Sequence, residues 1–112
     1  MFNEKALQKV KQIEKKINFI QSIVKEKGTV IKALEDEQNS RASILMHLTS
    51  MAEQFDKLMK DGEFELLACF EKQDIKGSYE GVDLYIVEDV INERLPIIKT
   101  NIQKILLKDT TC

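Results

Sequence analysis

Residues 42–59 read ASILMHLTSMAEQFDKLM, and the reading of this stretch decides the fold. Ala42, Ile44, Leu45, Leu48, Met51, Ala52, Phe55, Leu58 and Met59 recur at steps of three and four. That spacing gathers side chains on one stripe of an α-helix. Ser43, His47, Ser50, Gln54, Asp56 and Lys57 take the wetter side. Asn39 or Ser40 is placed to cap the start by accepting a bond from an orphan N–H. Asp61 and Gly62 close the run, with Lys57 and Lys60 near its negative end. At ~1.5 Å per residue the helix is roughly 27 Å long. A stripe of that length needs other helices to cover it.

Working outward, the upstream sequence supplies the first of them. Asn3 is an N-cap for a helix running to about Lys27, with Glu4 in the favourable first turn. Its stripe is Ala6, Val10, Ile13, Ile17, Ile20 and Val24, widened by Leu7, Phe19 and Ile23. A coiled coil would use the same spacing, but Gly28 stops the helix before the pattern grows long, which favours packing within the domain. Lys9, Lys11, Lys15 and Lys16 form a local basic run that, mixed with Gln12 and Glu14, is read as a solvated face. Thr29 caps a short segment from Val30 to about Glu37, with Ile31 and Leu34 inward. Glu35, Asp36 and Glu37 are successive and point in three directions round a helix, so they are read as solvated charge and not as a metal site.

Downstream, Glu63 to Glu71 reads as a short apolar helix. Residues 74–83 hold two glycines, Gly77 and Gly81, and are read as a loop or a broken helix. Asp83 caps a helix with the stripe Leu84, Val87, Val90 and Ile91. Pro96 makes it bend or restart near Asn92. The last helix presents Leu95, Ile98, Ile102, Ile105 and Leu106. The expected helices therefore lie near 4–27, 41–60, 63–71, 84–92 and 94–107. No strand-like alternation and no repeat breaks the pattern, which predicts an all-α, antiparallel up-and-down bundle of four to five helices in a single domain, 1–112.

Composition narrows the function classes. Charged residues make up 32% and hydrophobic residues 43%, which fits a globular helical protein and excludes a disordered one. The formal charge of −2 gives no global attraction to nucleic acid, so an RNA contact would have to use a local patch. Trp is absent and aromatics are sparse, so no base-stacking platform stands out. Cys69 sits in an apolar run and is read as a small buried hydrophobe, and Cys112 as part of a mobile end. One His and no Cys-x-x-Cys argue against a structural zinc site. No cofactor is implied. The N-terminus lacks the apolar core of a signal peptide and no run reaches membrane-spanning length, so the expectation is a cytoplasmic protein without a membrane partner.

Several segments carry a resemblance when taken in order. They are Lys32-Ala33-Leu34-Glu35-Asp36-Glu37, then Ile44-Leu45-Met46-His47-Leu48 through Ala52-Glu53-Gln54, then Asp74-Ile75-Lys76-Gly77. The series continues with Tyr79-Glu80-Gly81-Val82-Asp83-Leu84 and ends at Leu95-Pro96-Ile97-Ile98-Lys99. Across roughly residues 3–107 the chain resembles the HepT-like HEPN domains, small helical proteins paired with a minimal nucleotidyltransferase in toxin–antitoxin modules. The resemblance implies a helical bundle that dimerises and, in active members, cleaves RNA without a metal. Those members carry an Arg, usually followed by Asn, then four to six residues and His-x-Tyr on the third long helix. His moves protons near neutral pH and Arg stabilises charge at phosphate. The antitoxin silences such a toxin by attaching AMP to the Tyr.

Here that motif is missing. Between Gly77 and Glu80 the chain has only Ser78 and Tyr79; the next Arg is Arg94 and no His follows His47. About one and a half to three turns look removed from the third helix. By resemblance Tyr79 corresponds to the AMP-accepting Tyr, or else to a Tyr that some members carry before the Arg. Three other residues are the remaining candidates for chemistry. His47 lies on the polar side of the central helix, as an exposed or dimer-facing residue or as a base. Glu53 falls where relatives carry a Glu near the active groove, and a cap or salt bridge is the plainer role. Arg41 is a surface charge or a phosphate contact.

Three readings follow. One is a scaffold of this family that has lost its ribonuclease site and associates with itself, as a homodimer, and with a nucleotidyltransferase. Another is an active ribonuclease toxin with an altered site around His47, Arg41 and Glu53. The third is a helical interaction module unrelated to RNA.

Overall fold

The computed structural model describes residues 3–70 and 84–108. Every regular element among them is helical: α1 (Glu4–Lys27), α2 (Val30–Glu35), α3 (Ala42–Lys60), α4 (Phe64–Ala68), α5 (Leu84–Asp89) and α6 (Leu95–Lys108). Wide, π-type turns at Glu37–Arg41 and Val90–Arg94 lead into α3 and α6.

The ends of α1 follow from its sequence. Asn3 Oδ1 accepts from the Ala6 amide at 2.8 Å, satisfying one orphan N–H. Gly28 closes the helix with φ of 99° and an N–H bonded to the Val24 carbonyl at 2.8 Å. Thr29 Oγ1 then accepts from the Lys32 amide at 3.1 Å, capping α2 as its sequence predicts. At the far end of α3, Gly62 takes φ of 76°. Its N–H bonds to Met59 O at 3.0 Å and that of Glu63 to Leu58 O at 3.0 Å. This pair of bonds is the Schellman closure, which requires the left-handed backbone that glycine adopts freely.

The start of α3 differs from the sequence expectation. Asn39 and Ser40 do not cap the helix; they lie inside the wide turn that precedes it. The acceptor is Asp36, which receives the Asn39 amide at 3.4 Å and the Ser40 hydroxyl at 3.3 Å. Arg41 N–H reaches back five residues to Asp36 O at 2.9 Å, which is the widened, π-type spacing. A second such turn absorbs Pro96. The Leu95 N–H bonds to Val90 O, and the widened turn ends where the proline ring would otherwise crowd the preceding carbonyls. The helix therefore continues past Asn92 through a wide turn, where the sequence predicts a bend or restart.

One core joins the elements. From α1 it takes Ala6, Val10, Ile13, Ile17 and Ile20; from α3 it takes Ile44, Leu48, Met51 and Leu58. The α5–α6 arm adds Val87, Val90, Ile91, Leu95, Ile98, Ile102 and Ile105, all buried. α1 and α3 run antiparallel, because Lys9 meets Asp61 at one end and Phe19 meets His47 towards the other. α5 rests against α2 and α6 against α1, with Lys99 donating to Gln21 at 3.2 Å. The all-α bundle expected from the apolar spacing is the fold observed.

Some assignments change. α4 ends at Ala68, short of the predicted Glu71, although Leu66 and Phe70 stay buried and Phe70 meets Phe55 edge-on at 5.2 Å. Phe19 and Met59 lie outside the core, 45% and 58% exposed. Cys69 packs as a small hydrophobe, but its sulfur is disulfide-bonded. No described helix is long and apolar enough to cross a membrane.

Candidate functional site

The residues that the sequence offers for chemistry sit along one helix and its lead-in. Arg41, His47 and Glu53 are each six residues apart. At about 100° per residue, six residues advance roughly 600°, so the three project about 120° apart around the axis. Successive members are also about 9 Å apart along it. They do not converge on a common point within one chain.

Each has its own surroundings. The Arg41 Nε–H donates to the Leu34 carbonyl at 2.6 Å, and its Nη1 pairs with Glu37 Oε1 at 3.0 Å. The first bond satisfies a carbonyl in the last turn of α2, one of the groups a helix end leaves without a partner. Arg41 thus ties α2 to the turn that opens α3. Glu53 is exposed on α3.

His47 is half-buried against α1, where its ring stacks on Phe19 with centroids 5.2 Å apart and planes 12° apart. Burial holds the imidazole pKa below its ordinary value of 6.5, and the nearby Lys16 ammonium lowers it further. Both effects disfavour a second proton on the ring and favour the neutral imidazole. Lys15 Nζ stands 6.0 Å from the centroid of the same Phe19 ring, a cation–π contact.

Asp36 is the other perturbed group. Its hydrogen bond with Lys27 holds the carboxyl below its usual range; burial opposes this, and the Lys27 charge and the Ser40 and Asn39 amides add to the lowering. The Lys27–Asp36 ion pair spans 3.2 Å and closes a small hollow lined by Ile23, Ser40 and Ser43 among others. Glu37 is engaged by Arg41. Asp36 and Glu37 therefore face separate partners, and no group of His, Cys, Asp or Glu among the described residues has the arrangement of a metal site. A larger open hollow at the other end is lined by Asn3, Glu4, Lys5, Lys9, Asp61 and Glu63. Its floor is already paired, Lys9 with Asp61 at 3.1 Å and Asn3 Nδ2 with Glu63 Oε1.

Tyr79 and the Gly77–Glu80 joint lie outside the described residues. The sequence reading missed Phe19 as a site residue. Helical geometry contained the signal: Phe19 projects about 140° from the centre of the buried stripe of α1, too far round to widen it.

No family model, no curated protein and no solved structure matches the chain.

Proposed function

We propose that the chain is a HepT-like HEPN-family protein of a toxin–antitoxin module that retains the helical scaffold without the ribonuclease site. It works by association, as a homodimer and with a minimal nucleotidyltransferase. The ordered sequence resemblance and the all-α bundle support the family reading. The loss of catalysis rests on one observation above the others: Arg41, His47 and Glu53 point in three directions, and the Arg41 guanidinium is turned by its Nε and Nη1 bonds towards Leu34 O and Glu37. A phosphate-binding Arg needs free donors aimed at the ligand.

Exposed apolar side chains support the association half of the reading. Met46, Met59, Phe64, Ile86 and Leu107 are all more than half exposed, and a partner chain would take such apolar surface out of water. The proposal expects a minimal nucleotidyltransferase to be encoded beside this chain, and co-expression of the two tests it. A stable complex that survives gel filtration, with two copies of this chain, is the expected result. Separate elution of the two proteins, with this chain a monomer at high micromolar concentration, would refute it.

The altered-site ribonuclease keeps one supporting observation. Burial and Lys16 favour the neutral form of His47, the form a general base needs, and a second copy would bring another His47.

A further inference from the structure

Charge is unevenly distributed along this chain. Between Lys5 and Phe19 there are five lysines and one carboxylate, Glu14, while the whole chain carries −2. Of those lysines Lys9 is matched, by Asp61 at 3.1 Å. Lys11, Lys15 and Lys16 form no ion pair among the described residues. The outward side of α1 is therefore a row of cations without ion-paired counter-charges among the described residues.

An apolar centre sits at the end of that row. Phe19 is 45% exposed, yet its ring is held in place across two helices by the stack on His47. On α3, Met46 is 63% exposed and projects about 100° round the helix from His47. A half-exposed aromatic held by a stack and flanked by a charged rim is a composition found at protein-binding surfaces.

We infer that the α1–α3 face centred on Phe19 and His47, with Lys11, Lys15 and Lys16 as its rim, docks an acidic segment of a protein partner. Charge complementarity selects the sign of the partner, since unpaired ammonium groups at the rim attract carboxylates and repel basic surfaces. The Phe19 ring selects a protein over single-stranded nucleic acid. A base needs an open ring face to stack on, and one face here is covered by His47. On the helix wheel Lys15 lies about 40° from Phe19 on the side away from α3, so its ammonium, 6.0 Å from the centroid, crowds the other face. Apolar side chains of a partner helix can instead pack against the ring edge. The inference goes beyond the family reading and does not rest on it.

A fluorescent helical peptide rich in Glu and Leu is the probe, titrated into the full chain at low and raised salt. Oligo(dT) and the mirror peptide rich in Lys and Leu are the comparisons. The Glu/Leu peptide is expected to bind, to weaken as salt rises, and to lose about tenfold in affinity with Lys15→Glu/Lys16→Glu. Phe19→Leu, which keeps the apolar volume but removes the stack, weakens binding several-fold. Lys104→Glu, at an exposed charge on α6, leaves it unchanged. Four outcomes overturn the inference: no binding of the Glu/Leu peptide at low salt, tighter binding of oligo(dT) or of the Lys/Leu peptide, equal loss with Lys104→Glu, or binding indifferent to both α1 variants while their thermal unfolding matches the parent.

Discussion

The imidazole of His47 on α3 lies nearly parallel to the Phe19 ring on α1, 5.2 Å between centroids and 12° between planes. This pair lies outside the buried core, where Ile13 and Ile17 of α1 are fully enclosed. It joins the two long helices at the surface and places a titratable ring between apolar and basic groups. That position gives His47 a structural role, as the neutral half of a stack.

His47 titrates below 6.5, with burial as the larger cause and Lys16 as the smaller. A base whose folded pKa is lowered binds its proton more readily in the unfolded chain. Stability from this group is therefore complete above 6.5 and declines as pH falls from there through the folded value. Asp36, lowered from 3.8, contributes above 3.8 and loses its part only at lower pH, so the two windows separate. Because the chain has one His, its imidazole proton can be followed by NMR without further assignment. Lys16→Gln should raise the midpoint; a midpoint at or above 6.5 in the parent contradicts the description of the stack.

Phe19→Ala should cost about 0.5–1.5 kcal/mol, the range for an aromatic pair at partial exposure. Ile17→Ala, on the same helix but fully buried, should cost about 2–5 kcal/mol because it leaves a cavity. Urea denaturation of the two variants measures both. Equal losses would mean that Phe19 is part of the core after all.

Gly62 closes α3 at φ of 76° with nothing closer than 4.0 Å to an added Cβ. The cost of Gly62→Ala is thus conformational and not steric, about 1 kcal/mol for a left-handed residue with a side chain. Thermal unfolding should show a small, clean drop in Tm with unchanged helix content.

Asn101 on α6 holds a buried Nδ2 with no hydrogen-bond partner among the described residues. An unmatched buried donor costs its desolvation, so Asn101→Leu, of similar size, should leave the protein as stable or raise stability by about 1 kcal/mol. A loss of more than that in denaturant titration would reveal a partner for the amide.

The regular elements were legible because each apolar stripe repeats at helical spacing and because its ends carry recognisable caps. Asn3, Gly28, Thr29 and Gly62 act where their types predict. The wide turns before α3 and α6 were not legible. Their five-residue bonds, such as Arg41 N–H to Asp36 O, shift the register by one residue, which no side-chain type announces. The role of Arg41 was hidden for the same reason, since its bond to Leu34 O depends on how α2 meets α3. Phe19 misled by its chemistry: an aromatic near an apolar stripe looks like core, although its angle on the helix places it outside.

The central claim is that this scaffold does not carry out the reaction of the family it resembles. Incubation of the purified chain with structured and single-stranded RNA, in chelator and at neutral pH, tests it most directly. No cleavage above buffer, in the parent and in His47→Ala alike, is the predicted result. RNA degradation by the parent that His47→Ala abolishes, with the variant folded, would contradict it.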